Sequence, residues 1–280
     1  MIIRTIDRSD FDFIIELTAA ENIRYTEKDL SRILDYEPEG CFIAVDRERK
    51  LGIVTTVVFE KIGWIGNVFV VESARRRGAG TRLVKEALQY MRRKCVEFPK
   101  LYCFPHRIAF YRRLGFAAEL NVQIVNGIGR AMSFANVEAL REDSLDELMT
   151  LDRRLFGANR SRMLLRLHQE FKECCFGAYL GEKLVGYVMA SGSESEYELG
   201  PWVCEPRYQN MFAEDLLKAE MNRLDGKNFE LASPMHNALA ERILKENDLE
   251  PKGVAVRMGY GKVHTGKTEG ILGIAGLDRG

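Results

Sequence analysis

Two segments of the chain are similar enough to indicate an internal duplication. CFIAVDRERKLGIV at 41–54 aligns without a gap on CFGAYLGEKLVGYV at 175–188, a displacement of 134 residues. Each copy has an apolar run, a polar turn and a second apolar run, which predicts a β-hairpin. The displacement is far longer than the roughly 20–50 residues of a solenoid unit, so it indicates a duplicated domain. A chain of 280 residues can form two domains with a core each.

The boundary between the copies is expected near 130–136, within the segment NGIGRAMSFAN. We therefore predict a first domain over 1–130 and a second over 134–280. Hairpins followed by a strand–helix–strand unit predict an α/β fold, in which each domain is a mixed, mainly antiparallel sheet flanked by helices. In the first domain we predict strands at 2–6, 41–46, 51–59, 64–71, 101–104 and 116–125, and helices at 10–20, 27–34, 81–94 and 107–114.

A basic, glycine-containing segment, ARRRGAG at 74–80, lies between a predicted strand and a predicted helix. The apolar run Val68–Val71 before it is typical of a buried strand, and TRLVKEALQYM after it has apolar residues at helical spacing. Such a turn leaves backbone N–H groups free at the start of the helix, which favours an anion, above all a phosphate. The alternative is a solvated basic turn or a nucleic-acid patch, and the strand and helix on either side disfavour it.

Composition restricts the classes of function. Lys+Arg and Asp+Glu number 41 each, and zero net charge argues against a general nucleic-acid binder. No apolar run approaches the ~20 residues that cross a bilayer, and the segment MIIRTIDRSD has no apolar signal core, so a cytoplasmic protein without a membrane partner is expected. The six cysteines form no CxxC pair and the histidines (His106, His168, His236 and His264) are scattered, so no metal is expected.

Two motifs of the first half resemble the GNAT family of acetyl-CoA-dependent N-acetyltransferases. Arg75–Gly80 satisfies the family signature Gln/Arg-x-x-Gly-x-Gly/Ala, and RIAFYRRLGF at 107–116 resembles its second signature, a helix that carries a tyrosine and ends in Leu-Gly-Phe. The resemblance implies two tandem GNAT-type domains. A narrower likeness, to the tandem YitH-like proteins, rests on AENIRYTEKDLSRILDYEPEGCFIAV, WIGNVFVVESARRRGAG, FGANRSRML, ELGPWVC, SPMHNALAERIL, RMGYG and ILGIAGLDRG.

The resemblance implies that the first half binds acetyl-CoA. The loop amides would hold the pyrophosphate of coenzyme A, and the arginines would suit its 3′-phosphate, because a guanidinium can donate two parallel hydrogen bonds to a phosphate. The strand before the loop would splay from its neighbour and bind the pantetheine amides. The residues expected to bind the co-substrate are Val68, Phe69, Val70, Val71, Arg75, Arg76, Arg77, Gly78, Ala79, Gly80 and Thr81.

Tyr111 is the expected general acid. In the family, tyrosines at the matching position of the second signature protonate the departing thiolate, a role that a phenol within hydrogen-bond reach can perform. The alternative is that Tyr111 only packs, like its helix neighbours Ile108 and Leu114.

The general base is left open by the sequence. Asn67 cannot accept a proton, although it lies on the strand where many relatives have a glutamate. Glu60, Glu27, His106 and bulk water all remain possible. The residues expected to contact the acceptor are Asn22, Tyr25, Asn67 and Arg160.

The second copy has lost the motif residues. Under the displacement of 134, Gln209, Phe212 and Glu214 replace Arg75, Gly78 and Gly80, and Leu244 stands opposite Tyr111 when the two helices are aligned. We therefore expect that this half does not turn over acetyl-CoA and instead shapes the acceptor site. Arg160 and Arg162 lie in a polar turn where an acidic group of a substrate could dock, or they are simply surface residues.

The sequence predicts an enzyme that transfers acetyl from acetyl-CoA to a primary amine of a small metabolite or peptide, by direct attack in a ternary complex. The alternative is a non-catalytic coenzyme A sensor or scaffold. Transfer to a protein lysine or to tRNA is disfavoured, because the chain has neither a basic excess nor an unstructured tail. The two halves are expected to pair within one chain as a pseudo-dimeric monomer.

Overall fold

The strands of the chain join in one continuous sheet. The computed structural model describes residues 1–193, 196–261 and 268–280, and within them it contains 13 strands and eight α-helices. The elements of the first half are β1 (Ile2–Thr5), α1 (Phe11–Ala19), α2 (Glu27–Tyr36), β2 (Phe42–Asp46), β3 (Arg49–Phe59), β4 (Ile62–Val70), α3 (Ala79–Arg93), β5 (Phe98–Cys103), α4 (Ile108–Arg112) and β6 (Phe116–Ile128). Those of the second are β7 (Val137–Ala139), α5 (Leu145–Phe156), α6 (Ser161–Glu170), β8 (Cys175–Leu180), β9 (Lys183–Ser193), β10 (Glu196–Cys204), α7 (Gln209–Arg223), β11 (Asn228–Pro234), α8 (Ala238–Glu246), β12 (Pro251–Tyr260) and β13 (Ile271–Gly273).

This architecture confirms the predicted fold class, a mixed and mainly antiparallel sheet flanked by helices. The two predicted hairpins are present as β2–β3 and β8–β9. Between the named strands of the described residues, only β4–β5 and β10–β11 pair in parallel. None of the helices in this part of the chain is long and apolar enough to cross a bilayer.

The duplication is visible in the element bounds. β3 and β9 have 11 residues each and are displaced by 134, as are β4 and β10 with nine residues each. The helices α3 and α7 have 15 residues each but are displaced by only 130, because residues 71–78 before α3 are replaced by just 205–208 before α7. The gapless alignment is therefore wrong beyond β10. Tyr208 stands opposite Gly78, and Asn210 opposite Gly80, in place of the predicted Phe212 and Glu214.

The two halves exchange a strand. The order within the sheet is β1-β2-β3-β4-β5-β12-β6-β11-β10-β9-β8-β7, with β13 paired to β10. β6 therefore pairs with β12 and β11, both from the second half, and β12 pairs with β5 and β6 of the first. The strand predicted at 116–125 exists, but it does not pair with the first-half strand β5, because β12 lies between the two.

Helix α3 is held against the first-half sheet by a continuous apolar face. Leu83, Val84, Ala87 and Met91 are spaced at three and four residues and are fully buried in a cluster that includes Ile65 of β4. This packing fixes the start of α3 beside the end of β4. The connection at 71–78, which carries Arg75–Gly78 of the glycine-containing motif, spans the short gap between them.

Candidate active site

β4 separates from β5 halfway along its length. The two parallel strands are paired from Ile62↔Phe98 to Ile65↔Leu101, and β4 then continues to Val70 with β3 alone. The register with β3 shifts from Thr55↔Gly66 to Ile53↔Phe69, which places one extra residue in β4. Asn67 lies in this bulge with φ of 50°. The divergence expected from the resemblance is thus present, and among the described residues it leaves the β5-facing edge of 66–70 without a strand partner.

A large cleft opens at this divergence. Its volume is about 2030 Å³, and it reaches from the start of α3 across the ends of β4 and β5 to β10 and β11 of the second half. The predicted site residues that line it are Asn22, Tyr25, Asn67, Val68, Phe69, Val70, Arg75, Arg76, Gly78, Gly80, Thr81 and Tyr111. Val71, Arg77, Ala79 and Arg160 lie outside its lining.

The start of α3 presents free donors to the cleft. Arg82 makes the first backbone hydrogen bond of the helix, to the Gly78 carbonyl at 3.0 Å, so the N–H groups of residues 79–81 have no acceptor within the helix. Gly78 caps α3 with φ of 87°, a conformation that favours glycine. A Cβ added at Gly80 would lie 3.6 Å from Phe110 and from Val70, so alanine would fit there.

The three arginines of the loop have different surroundings. Arg75 donates to the Val70 carbonyl at 3.0 Å and pairs with Glu21, so it ties the end of β4 to the α1–α2 connection. Arg76 is exposed on the cleft with φ of 60°, whereas Arg77 is exposed outside it. Among the arginines that line the cleft without having been predicted as site residues, Arg107 and Arg113 lie in the second signature.

Tyr111 both packs and faces the cleft. Its side chain is 8% exposed, and its ring makes edge-to-face contacts with Phe110 at 4.9 Å and Phe116 at 5.9 Å between centroids. Burial raises the pKa of its phenol well above the ordinary value, with Cys103 adding to the shift and Arg107 opposing it. The hydroxyl therefore keeps its proton at neutral pH.

A polar chain of contacts begins at the β4 bulge. The Tyr25 hydroxyl donates to Oδ1 of Asn67 at 2.8 Å, and Nδ2 of Asn67 donates to the Thr55 hydroxyl at 3.1 Å. Oδ2 of Asp278 lies 3.5 Å from the same Nδ2. Two residues expected to contact an acceptor are thus joined to each other, while Asn22 lies exposed at the rim.

The last residues of the second half complete this end of the cleft, although none of them was among the predicted site residues. Asp278 lies so close to β4 that a Cβ on Gly66 would be 2.8 Å from its Cα. Arg279 pairs with Asp278 at 2.6 Å and with Glu198 of β10. Burial raises the pKa of Glu198 to about 7, with Arg279 opposing the shift and Asp278 and Glu230 adding to it. The sequence signal for Glu198 was weak: it directly precedes the apolar end of β10.

The candidate bases taken from the sequence are scattered. Glu60 lies in the β3–β4 turn, at the opposite end of β4 from the bulge, where it accepts from Arg153 at 2.8 Å and from the Asn159 amide at 3.0 Å. Glu27 starts α2 and does not line the cleft. His106 does line it, exposed and stacked on Phe104.

Arg160 is buried away from the cleft and has a structural role. It is 2% exposed and donates to both carboxylate oxygens of Asp152, at 3.1 and 2.6 Å, and to the Gly280 oxygen at 2.9 Å. Its guanidinium also stacks on Phe156, 3.8 Å from the ring centroid. The sequence predicted that Arg160 is accessible in a polar turn. In the structure it is buried and hydrogen-bonded to Gly280.

The corresponding groove of the second half is filled by the chain itself. β13 pairs with β10 at Trp202↔Gly273 and Val203↔Ile271, the positions that a displacement of 134 places opposite Val68 and Phe69. In addition, Gln209 at the start of α7 donates from Nε2 to the carbonyls of Cys204 and Glu269. The edge that is open in β4 is therefore occupied in β10. Across the described residues no group of three His, Cys, Asp or Glu side chains is arranged to hold a metal, and His264 lies outside those residues.

Comparisons with known proteins agree with this geometry. Residues 11–116 match the family model "Acetyltransferase (GNAT) family", and residues 148–273 match "Acetyltransferase (GNAT) domain". No curated protein matches the chain. The narrower likeness to YitH-like proteins stays a prediction.

Solved structures of low sequence identity share the fold. A protein from Pyrococcus horikoshii described as a candidate acetyltransferase has a TM-score of 0.83 at 20% identity, covering 100% of this chain and 95% of its own. A GCN5-related N-acetyltransferase from Sphaerobacter thermophilus has a TM-score of 0.67 at 13% identity, with coverage of 92% and 94%. A tandem GNAT protein from the clavulanic acid biosynthesis pathway has a TM-score of 0.66 at 13% identity, with coverage of 94% and 99%.

Proposed function

Because the chain belongs to the GNAT acetyltransferase family and carries two of its domains in tandem, we propose that it transfers acetyl from acetyl-CoA to a primary amine of a small metabolite or peptide. One observation carries the proposal. The open edge of β4, the free N–H groups at the start of α3 and the side chain of Tyr111 all lie on one cleft.

The first half supplies the groups that the co-substrate needs. The N–H groups of residues 79–81 and the positive end of the α3 dipole would receive the pyrophosphate, and Arg76 adds an exposed cation beside them. The edge of 66–70 would hydrogen-bond the pantetheine amides in place of a neighbouring strand. Acetyl-CoA would thereby bring its thioester to the diverging ends of β4 and β5, near Tyr111.

The transfer needs one nucleophile and one proton donor. The neutral amine attacks the thioester carbonyl carbon, the C–N bond forms and the C–S bond breaks with its electron pair on sulfur. Tyr111 gives its proton to that sulfur, since its phenol is protonated at neutral pH and the developing negative charge on sulfur is stabilised as the proton arrives. This direct route uses both substrates in one ternary complex and requires no covalent intermediate on the protein.

The second half is proposed to bind no acetyl-CoA of its own. β13 covers the edge of β10, and only four residues, 205–208, separate β10 from α7. Its role is to form the far wall of the cleft through β10, β11 and the residues after β13.

The test is an assay of thiol release from acetyl-CoA with a panel of alkylamines, polyamines, arylalkylamines, amino acids and short peptides. Turnover with at least one amine, and an N-acetyl product by mass spectrometry, supports the proposal. Calorimetric binding of acetyl-CoA without turnover of any amine would instead support a coenzyme A sensor. The absence of binding would contradict both.

A further inference from the structure

We propose that the acceptor binds as a primary ammonium ion against the carboxylates of Asp278 and Glu198, beside the Arg279 guanidinium that joins them, and that the Glu198 carboxylate removes its proton. The inference deepens the proposed function and rests on it, because it names the residues that bind the amine of the acceptor and the base for the same cleft. It also gives the second half a direct part in the chemistry.

The position of Asp278 is the first argument. Its backbone packs on Gly66 and its carboxylate lies 3.5 Å from Nδ2 of Asn67, so it lies against the β4 bulge. Arg279 joins Asp278 to Glu198, which places both carboxylates on one guanidinium. An amine that approaches a thioester held along β4 therefore meets these two carboxylates.

The charge of this end of the cleft is the second argument. Glu198 on β10 is faced by Asp278, by Glu230 on β11 and by the guanidinium of Arg279, so carboxylates outnumber the cation. The Tyr25 hydroxyl also faces it, and burial beside Asp278 and Glu198 raises the pKa of that phenol, so it stays neutral. A negative, partly desolvated site of this kind attracts a cation and repels an anion.

Two further side chains complete the surroundings. Arg32 of α2 lines the cleft, but it is bound to Asp29 at 3.1 Å and to Glu170 at 2.6 Å, so its charge is already compensated. Tyr36 at the end of α2 is 6% exposed and lines the cleft, and its hydroxyl has no hydrogen-bond partner among the described residues. A buried hydroxyl without a partner is rare in proteins, and this one is available to hydrogen-bond a molecule in the cleft.

The proton balance of the step is complete without another reactant. The ammonium gives one proton to a Glu198 oxygen, and the freed lone pair forms the C–N bond. The sulfur leaves with the electron pair of the C–S bond and takes the proton of Tyr111. As the amide forms, the nitrogen loses a second proton, which restores the Tyr111 phenol through solvent, and Glu198 releases its own to bulk water. A carboxyl group with a pKa of about 7 can perform this exchange near neutral pH.

The experiment uses two thioethers that need no turnover. S-(2-aminoethyl)-coenzyme A places an ammonium just beyond the sulfur, and S-(2-hydroxyethyl)-coenzyme A has the same length without the charge. By calorimetry on the full chain at pH 7.5, the aminoethyl compound is expected to bind about tenfold more tightly, the scale of one charge-assisted contact. In the double variant Glu198→Gln/Asp278→Asn the two compounds should bind equally.

The matched control is Glu196→Gln, two residues earlier on β10 and exposed at the rim, which should keep the tenfold preference. The ratio of the two affinities is measured within each variant, so a partly unfolded variant does not alter it. Equal binding to the unaltered chain, or a preference that survives the double variant, would overturn this inference and leave the proposed function standing. If neither compound binds, the proposed function fails and this inference with it.

Discussion

The guanidinium of Arg160 donates a hydrogen bond of 2.9 Å to the oxygen of Gly280, 120 residues further along the chain. The same guanidinium is held by both oxygens of Asp152. Gly280 in turn donates to the Gly276 carbonyl at 2.9 Å, so residues 276–280 form a closed turn. Arg160 therefore fixes the segment that carries Asp278 and Arg279 into the cleft.

Removing this arginine should destabilise the fold. Arg160→Met leaves Asp152 buried without its counter-ion, so the free energy of unfolding should fall by about 3–5 kcal/mol in urea denaturation. Arg162→Met, two residues away and exposed, should change it by less than about 0.5 kcal/mol. Equal losses in the two variants would show that the buried pair is not what holds this segment.

One acetyl-CoA should bind per chain, at the start of α3. Gly80→Glu places a carboxylate where the phosphates are expected, and the affinity should fall by at least tenfold because like charges repel in a partly desolvated site. Asn210→Glu makes the equivalent change at the start of α7 and should have no effect. Calorimetry measures both stoichiometry and affinity, and two sites per chain would contradict the assignment of the second half.

Tyr111→Phe should slow the chemical step alone. The ring and its packing are kept, so stability and the affinity for acetyl-CoA should hardly change. The maximal rate should fall by about 10²–10⁴, the usual contribution of a positioned acid, with little change in the Michaelis constant. Tyr90→Phe, a buried tyrosine of α3 outside the cleft lining, is the control. Full turnover of Tyr111→Phe under conditions where chemistry limits the rate would show that Tyr111 is not the acid, and His106 would be the next residue to test.

Glu220 should make stability depend on pH. Burial raises the pKa of this carboxyl well above its value of 4.5, with Glu173 adding to the shift and Arg223 opposing it, so the native state keeps a proton that the unfolded chain loses. The free energy of unfolding therefore decreases as pH rises above about 4.5. Glu220→Gln should raise it by roughly 1–3 kcal/mol at pH 8 and by little at pH 4. Denaturation at the two pH values measures this, and an equal effect at both would contradict it.

The chain should be a monomer in solution. Its two halves already pair with each other through β6 and β12, as two separate subunits would in a dimer. Sedimentation equilibrium should therefore give a mass near 32.0 kDa. A tight dimer would mean that a further surface, outside the exchanged strands, joins two chains.

Local features of the fold could be predicted because they depend on neighbouring residues. The hairpin β2–β3 follows from alternating apolar runs around a polar turn. Helix α2 begins where Thr26 and Asp29 cap each other, with the Thr26 amide donating to Asp29 at 2.8 Å. The loop before α3 was placed correctly because the glycine signature lies between a strand pattern and a helix pattern.

The remaining features depend on contacts between distant parts of the chain. The apolar pattern of β6 is the same whichever strand pairs with it, so the exchange with β12 left no local signal. The shortened connection at 205–208 was hidden because a gapless displacement cannot show a deletion where the copies share no identity. Glu198, Asp278 and Arg279 come together only when β13 leads the chain back across the sheet. The motifs that contain these residues could be recognised in the sequence, but the contact between them could not be predicted from it.

The strand exchange sets an order of assembly during translation. When the first 130 residues have left the ribosome, one edge of β5 is unpaired and β6 lacks its native partners. The strands that pair with them, β11 and β12, belong to the second half. The edge is covered only after residue 260, the end of β12, has been made. Long-range pairing of this kind slows folding and leaves a nascent chain open to association with its neighbours. A ribosome that stalls between the two halves would release a fragment prone to aggregate, not a small working enzyme.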